Sequence, residues 1–152
     1  MTYSTAEARQ DLLDAVGDAI DDLGRALAAL GAAYELLDEH TADALEERLF
    51  GPVQVAYGRA RRTHNDFAAR YELPSRTFRM PEPGAPSTGL KGYVSDAAAA
   101  VTSADATLVT LQDSMMPIEV GDAELRAGLA EVRELVAEIP QRARALTRTF
   151  GR

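Results

Sequence analysis

The fold is decided by residues 11–37, whose sequence is DLLDAVGDAIDDLGRALAALGAAYELL. Apolar side chains recur there at alternating spacings of three and four residues, at Leu13, Val16, Ile20, Leu23, Leu27, Leu30, Tyr34 and Leu37. This spacing places them on one face of an α-helix, as in helices that pack side by side. The pattern returns twice, from Leu90 to Met115 and from Leu125 to Phe150. The sequence therefore predicts an all-α protein.

We expect a single-domain four-helix bundle that takes in residues 1–152. The predicted helices cover about 5–39, 42–72, 90–116 and 122–150, with Thr41 as the N-cap of the second. A Pro-rich loop, 73–89, connects helices 2 and 3. Extended, it reaches roughly 50 Å, enough to return along the bundle. Helices 2 and 3 can therefore be parallel or antiparallel.

Three glycines stand at seven-residue spacing inside the first predicted helix, at Gly17, Gly24 and Gly31. Each costs a helix about 1 kcal/mol relative to alanine. Their common stripe indicates either that the backbone of a neighbouring helix packs closely against it or that it faces solvent. The regular spacing favours close packing.

The bulk composition excludes several classes of protein. The chain has no cysteine, which excludes disulfides and thiolate metal sites. The net charge of −8 disfavours duplex nucleic acid and membrane surfaces as partners. No signal peptide or membrane span is recognised, so we expect a cytoplasmic protein. Lys91 is the only lysine, and the preference for arginine and alanine suggests a bacterial genome rich in GC.

The charges are unevenly distributed along the chain. Residues 7–40 contain nine acidic side chains and two arginines, whereas residues 59–79 contain six arginines and two acidic side chains. An antiparallel pairing of helices 1 and 2 would match Arg59, Arg62 and Arg70 with the aspartates of helix 1. The alternative is a binding patch for an anion or a protein partner, for which the candidate residues are Arg59, Arg62, His64, Arg76, Arg79 and Lys91.

Two sequence motifs bear on enzymatic activity. Di-iron bundles need Glu-x-x-His pairs, which are absent here, so we expect no metal site and no cofactor. The segment from Arg59 to His64 resembles the Arg-x4-His element of HEPN ribonucleases, which are also helical bundles. The resemblance implies that His64 is a general base and that Arg59 stabilises phosphate charge. Ala60 departs from the family, which usually has a polar residue at this position.

These observations favour a non-enzymatic interaction or scaffold module that binds a protein partner or itself. Long, Ala-rich helices offer flat packing surfaces, and no polar residues converge in the predicted core. The alternatives are a helical bundle that binds a small molecule or an anion and, further, a HEPN-like ribonuclease.

Overall fold

A computed structural model describes residues 4–85 and 89–150, which contain α-helices, one π-helical turn and no β-strand. The all-α prediction is confirmed. The helices are α1 (Thr5–Tyr34), α2 (Glu39–Leu45), α3 (Gly51–Arg70), α4 (Gly89–Asp113), α5 (Met116–Glu119), α6 (Ala123–Val136) and α7 (Ile139–Thr147). The π turn, Glu46–Phe50, joins α2 to α3.

The predicted number of four helices is not confirmed. Two of the predicted helices are divided. In the described parts of the chain, five helices have nine or more residues, because α2 has only seven. Predicted helix 42–72 is α2, the π turn and α3, and predicted helix 122–150 is α6 and α7. Helices α1 and α4 end at Tyr34 and Asp113, before the predicted ends at 39 and 116. Residues 86–88 of the predicted loop lie outside the described residues.

The beginnings of α2 and α7 explain two of these differences. The N-cap of α2 is Asp38 rather than Thr41, because its carboxylate accepts a hydrogen bond of 2.8 Å from the Thr41 N–H. Helix α7 has Pro140 in its second position. Proline lacks an N–H, which the first turn of a helix does not need. A new helix therefore begins where a continuous one would be disrupted.

Pro52 is accommodated by the π turn that precedes it. The Gly51 N–H bonds to the Glu46 carbonyl, five residues back, and Pro52 has no N–H with which to bond the Arg48 carbonyl. The Arg142 guanidinium of α7 donates to that carbonyl at 3.2 Å. The hydrogen bond that proline removes is thus replaced by one that ties α7 to the π turn.

Helices α3 and α4 both run antiparallel to α1. At one end of α3, the Tyr71 ring lies 4.0 Å from the Arg9 guanidinium, and further back along α3 the Tyr57 ring lies beside Gly24. Helix α4 has the same direction, because the Ser103 hydroxyl donates to Asp22 at 2.8 Å and α5 follows α4 towards the start of α1. Helices α3 and α4 are therefore parallel.

Residues 71–85, which we call the strap, bring the chain back along α1 between these parallel helices. Near the start of the strap, Glu72 has φ 53°, and the Leu73 N–H donates to the Ala68 carbonyl at 2.8 Å, as in a Schellman motif. Its far end is bound by the Tyr93 hydroxyl of α4, which donates to the Gly84 carbonyl at 3.2 Å. The described part of the loop thus runs back along α1.

The glycine stripe of α1 faces the strap only in part. A Cβ atom on Gly17 would collide with the Arg76 guanidinium, one on Gly24 would make ordinary contacts with Tyr57 and Pro81, and one on Gly31 would meet nothing. The expectation of a closely packed backbone is therefore wrong. Close approach occurs at Gly17 alone, and a side chain of the strap makes it.

Helices α3 and α6 are in close contact at Gly128. A Cβ atom there would lie 3.0 Å from the Thr63 Cβ and would overlap the hydroxyl and methyl groups of Thr63. Thr63 is buried, and its hydroxyl is bonded to the Arg59 carbonyl at 2.9 Å. The side chain cannot turn away without losing this hydrogen bond, so the contact fixes the separation of the two helices.

We predict that Gly128→Ala lowers the free energy of unfolding by about 1–3 kcal/mol, the usual cost of overpacking a core. The loss should exceed any gain from the better helix propensity of alanine, which is at most about 1 kcal/mol. Urea unfolding followed by circular dichroism measures it.

Gly31→Ala is the matched control, because it is also a helical glycine but has open space around its Cβ position. It should raise the free energy of unfolding by up to about 1 kcal/mol. Thr63→Ala in the Gly128→Ala background should recover part of the loss. Equal effects of the two alanines would contradict the close contact between α3 and α6.

Candidate interaction site

An open groove of about 740 Å³ runs between α3 and α6 on the outside of the protein. Its walls carry charged and polar side chains, and its floor has small residues from both helices. The lining residues are Gln54, Val55, Gly58, Arg59, Arg62, Thr63, Asp66, Arg70, Glu124, Ala127 and Glu131. Two of the candidate binding residues, Arg59 and Arg62, lie together here.

Ion pairs between the two helices form the rim of the groove. Arg59 pairs with Glu131, and Arg70 pairs with Asp122 at 2.7 Å and with Glu124 at 2.9 Å. The hydrogen bond to Asp122 raises the pKa of Arg70, although burial opposes the rise. Arg70 therefore stays charged, and the ion pairs of both arginines hold α3 and α6 together.

Asp122 links two parts of the site. Burial acts to raise its pKa, but the hydrogen bonds from the Arg70 guanidinium and the Leu125 N–H lower it by more, so the pKa of Asp122 lies below its usual value. The same carboxylate caps α6 by accepting the Leu125 N–H at 2.8 Å. A charged Asp122 thus fixes both the start of α6 and its pairing with α3.

These ion pairs correct the predicted charge matching. Arg59 and Arg70 were expected beside the aspartates of α1 but pair with acidic residues at and near α6 instead. Two of those aspartates meet Arg76 of the strap, which lies 3.3 Å from Asp18 and 3.5 Å from Asp21, and Asp22 pairs with Arg25 of α1 itself.

Three side chains in the groove have unused binding capacity. Arg62 and Asp66 are exposed, stand one turn apart on α3, and form no ion pair with the described residues. Val55 is 57% exposed near one end of the groove, although it is apolar. An unpaired cation, an unpaired anion and an exposed aliphatic side chain are groups that a partner can engage.

The remaining candidate residues are distributed elsewhere. Arg79 is exposed on the strap and Lys91 is exposed on the first turn of α4, whereas Arg76 is held against α1. His64 is buried beneath the strap. The structure thus brings Arg59 and Arg62 together and separates the other candidates from them.

His64 is only 1% exposed, and the Phe78 ring of the strap packs edge-on against it at 4.9 Å. Its Nδ1 atom lies 3.1 Å from the Asn65 side-chain oxygen. Burial lowers the pKa of His64, and the nearby Arg76 lowers it further. Asn65 and Asp14 act in the opposite direction without cancelling the fall. His64 is therefore neutral at pH 7.

The HEPN-like pair is divided between two surroundings. Arg59 lies in the groove against Glu131, whereas His64 packs under the strap against Phe78. Within one chain, the structure does not bring the two side chains to a common surface.

Two features are absent from residues 4–85 and 89–150. No helix there has both the length and the apolar character needed to cross a membrane. No three histidine, aspartate or glutamate side chains there are grouped so as to hold a metal ion.

The chain matches no protein-family profile, no curated protein and no solved structure.

We predict that acidification from about pH 7.5 to about pH 5.5 destabilises the protein through His64. Folding lowers the pKa of His64. As the pH falls below about 6.5, His64 is therefore protonated in the unfolded chain while it is still neutral in the folded protein. The stability contributed by neutral His64 is complete above that pH and is lost as the pH falls towards the pKa of the folded state. Each pH unit between the two pKa values costs about 1.4 kcal/mol. Urea unfolding at a fixed protein concentration measures the effect.

His64→Gln should reduce this pH dependence, because glutamine does not titrate. The control is His40→Gln, at the only other histidine, which is exposed. The lowered pKa values of Asp38 and Asp122 keep these carboxylates charged throughout the window. An unchanged pH dependence in His64→Gln would show that another group is responsible.

Proposed function

We propose that this protein is a non-enzymatic helical interaction module that associates with itself. The observation that carries the proposal is the groove between α3 and α6, where Arg62, Asp66 and Val55 stand exposed with unused binding capacity. The surface is preformed, because ion pairs on its rim hold the two helices that build it.

The shape of the groove favours a helical partner over a small molecule. Sites for small molecules are enclosed and mostly apolar, with few polar groups. This groove is open, follows two helices, and carries charges of both signs along its length. Such a surface suits a rod laid along it, as in the recognition of helices by grooves.

The proposal includes a four-helix bundle as the platform of the groove. In this arrangement α1 and α4 are two rods, α2 with α3 forms the third, and α6 with α7 forms the fourth. The strap is the crossover between the third rod and α4. Supporting contacts include the Arg142 bond to the π turn and the Arg133 bond to Asp105 at 2.9 Å, which link the fourth rod to its neighbours. Rods joined in this way would hold α3 and α6 at a fixed separation.

The cytoplasmic location stays a prediction of the sequence. The absence of duplex nucleic acid as a partner also stays a prediction, and it is supported by the balance of charge in the groove. The three arginines that line it are matched by three acidic side chains. A phosphate backbone would meet an anion for every cation, whereas binding to DNA needs an excess of cations.

We predict a mass that rises with concentration, from 16.3 kDa for the monomer towards twice that value. Sedimentation velocity between about 1 and about 200 µM covers the range expected for a weak or moderate association. A mass that stays at the monomer value over the whole range would overturn self-association. A tag-free sample is needed, because an added basic tag could bridge acidic chains.

A further inference from the structure

We propose that the α3/α6 groove is occupied by α3 of a second copy of this chain. The two α3 helices run antiparallel about a two-fold axis, and Arg62 of each protomer pairs with Asp66 of the partner subunit. The inference rests on the proposed self-association and names the surface and the register through which it occurs.

The spacing of Arg62 and Asp66 determines the proposed register between the two α3 helices. Arg62 and Asp66 are four residues apart, so they lie on one side of α3 about 6 Å apart along its axis. A two-fold axis that passes between them, near residue 64, places each arginine opposite the aspartate of the other protomer. The unused cation and anion of each protomer thereby form two reciprocal ion pairs across the dimer, as an isologous interface requires.

The charge of the groove favours a second copy over a partner of one strong sign. Its arginines and carboxylates are equal in number, although the chain has a net charge of −8. A strongly basic or strongly acidic partner would be repelled by half of these charges, because they have the same sign as its own. Another copy presents the same balanced mixture of charges in reverse order, and two copies would repel each other across their acidic faces. The groove is therefore a surface where two such chains can meet.

The shape of α3 agrees with the same axis. Gly58 lies six residues before residue 64 and Arg70 lies six residues after it. The two-fold operation therefore sets the gap above Gly58 opposite the long side chain of Arg70 of the partner subunit. A Cβ atom on Gly58 would have no neighbour within 4 Å, so the gap is open. On α6, Ala127 adds no long side chain that would hold the second copy away.

The area of the proposed interface indicates how strongly two copies should bind each other. Helix α3 has 20 residues and is about 30 Å long, and two packed helices are about 20 Å wide. About 600 Å² per protomer would be buried, which is below the roughly 800 Å² of a standard interface. We therefore expect a reversible dimer with a dissociation constant in the micromolar range.

Charge reversal tests the register directly. Arg62→Asp alone leaves two aspartates at each pairing position, and Asp66→Arg alone leaves two arginines. Each variant should raise the dissociation constant of its homodimer by about tenfold or more, because like charges then face each other. An equimolar mixture of the two variants should form a heterodimer, because both reciprocal pairs then join an aspartate to an arginine. The double variant Arg62→Asp/Asp66→Arg should dimerise like the wild type.

Sedimentation velocity on the untagged proteins measures these outcomes, and circular dichroism checks that the variants are folded. Both residues are exposed, so the reversals leave the core unchanged. Arg144→Asp on α7 and Asp113→Arg at the end of α4 are matched controls. They change the net charge by the same amounts at exposed positions outside the groove and should leave dimerisation unchanged.

The outcomes separate this inference from the function on which it rests. If the wild type dimerises and both reversals dimerise equally well, the groove is not the interface and self-association stands. If both reversals dissociate but their mixture does not associate, the antiparallel register is wrong. If the wild type is a monomer throughout, the inference and the proposed function both fail. Recovery of the dimer in the mixture and in the double variant supports both.

Discussion

The burial of helix α1 on several sides is the constraint on which the rest of the structure depends. Half of its residues are buried, and they face α3, α4 and the strap in turn. The buried set includes one charged residue, Asp22, whose carboxylate accepts hydrogen bonds from Ser103 of α4 and from Arg25. Since a buried carboxylate without partners is costly, the bond from Ser103 sets the register between α1 and α4.

The strap follows from the same constraint. Because α3 and α4 are both antiparallel to α1, the chain must traverse the length of α1 between them without forming a helix of its own. It does so by placing Arg76 over Gly17, where the missing side chain leaves room for the guanidinium. Phe78 then covers His64. His64 stands on the buried face of α3, and the strap completes its burial by placing Phe78 over it.

Part of this structure could be predicted from the sequence, since it depends on local rules. The apolar spacing predicts the helices and the prolines predict their interruptions, and the Ser4-x-x-Glu7 capping box at the start of α1 was recognisable in principle. What the prolines do could not be predicted. Pro52 is held by a π turn and Pro140 begins a new helix, and the difference depends on neighbours such as Arg142 that are distant in sequence.

The groove was harder to predict, because charge matching by position along a hairpin ignores the direction in which each side chain points. The face of α3 that packs into the core carries apolar side chains such as Ala56, Ala60 and Phe67. Arg59 and Arg70 lie off that face, so they meet α6 rather than α1. A helical-wheel argument would have separated them from the aspartates of α1. It would not have shown which helix Arg59 and Arg70 pair with, because that depends on which helices are neighbours in the folded protein.

The distribution of charge links the fold to the proposed association. Helix α1 exposes aspartates for which Arg76 supplies a cation, and at about 0.1 M salt their repulsion of a second acidic chain extends roughly 10 Å. On α3 and α6, by contrast, the arginines are spread among carboxylates at nearly every turn. If those arginines paired with the aspartates of α1 instead, the α3/α6 face would be as acidic as the rest of the protein surface. It would then repel the same face of a second copy. Their position away from α1 holds α6 in place and also leaves one neutral surface on an acidic protein.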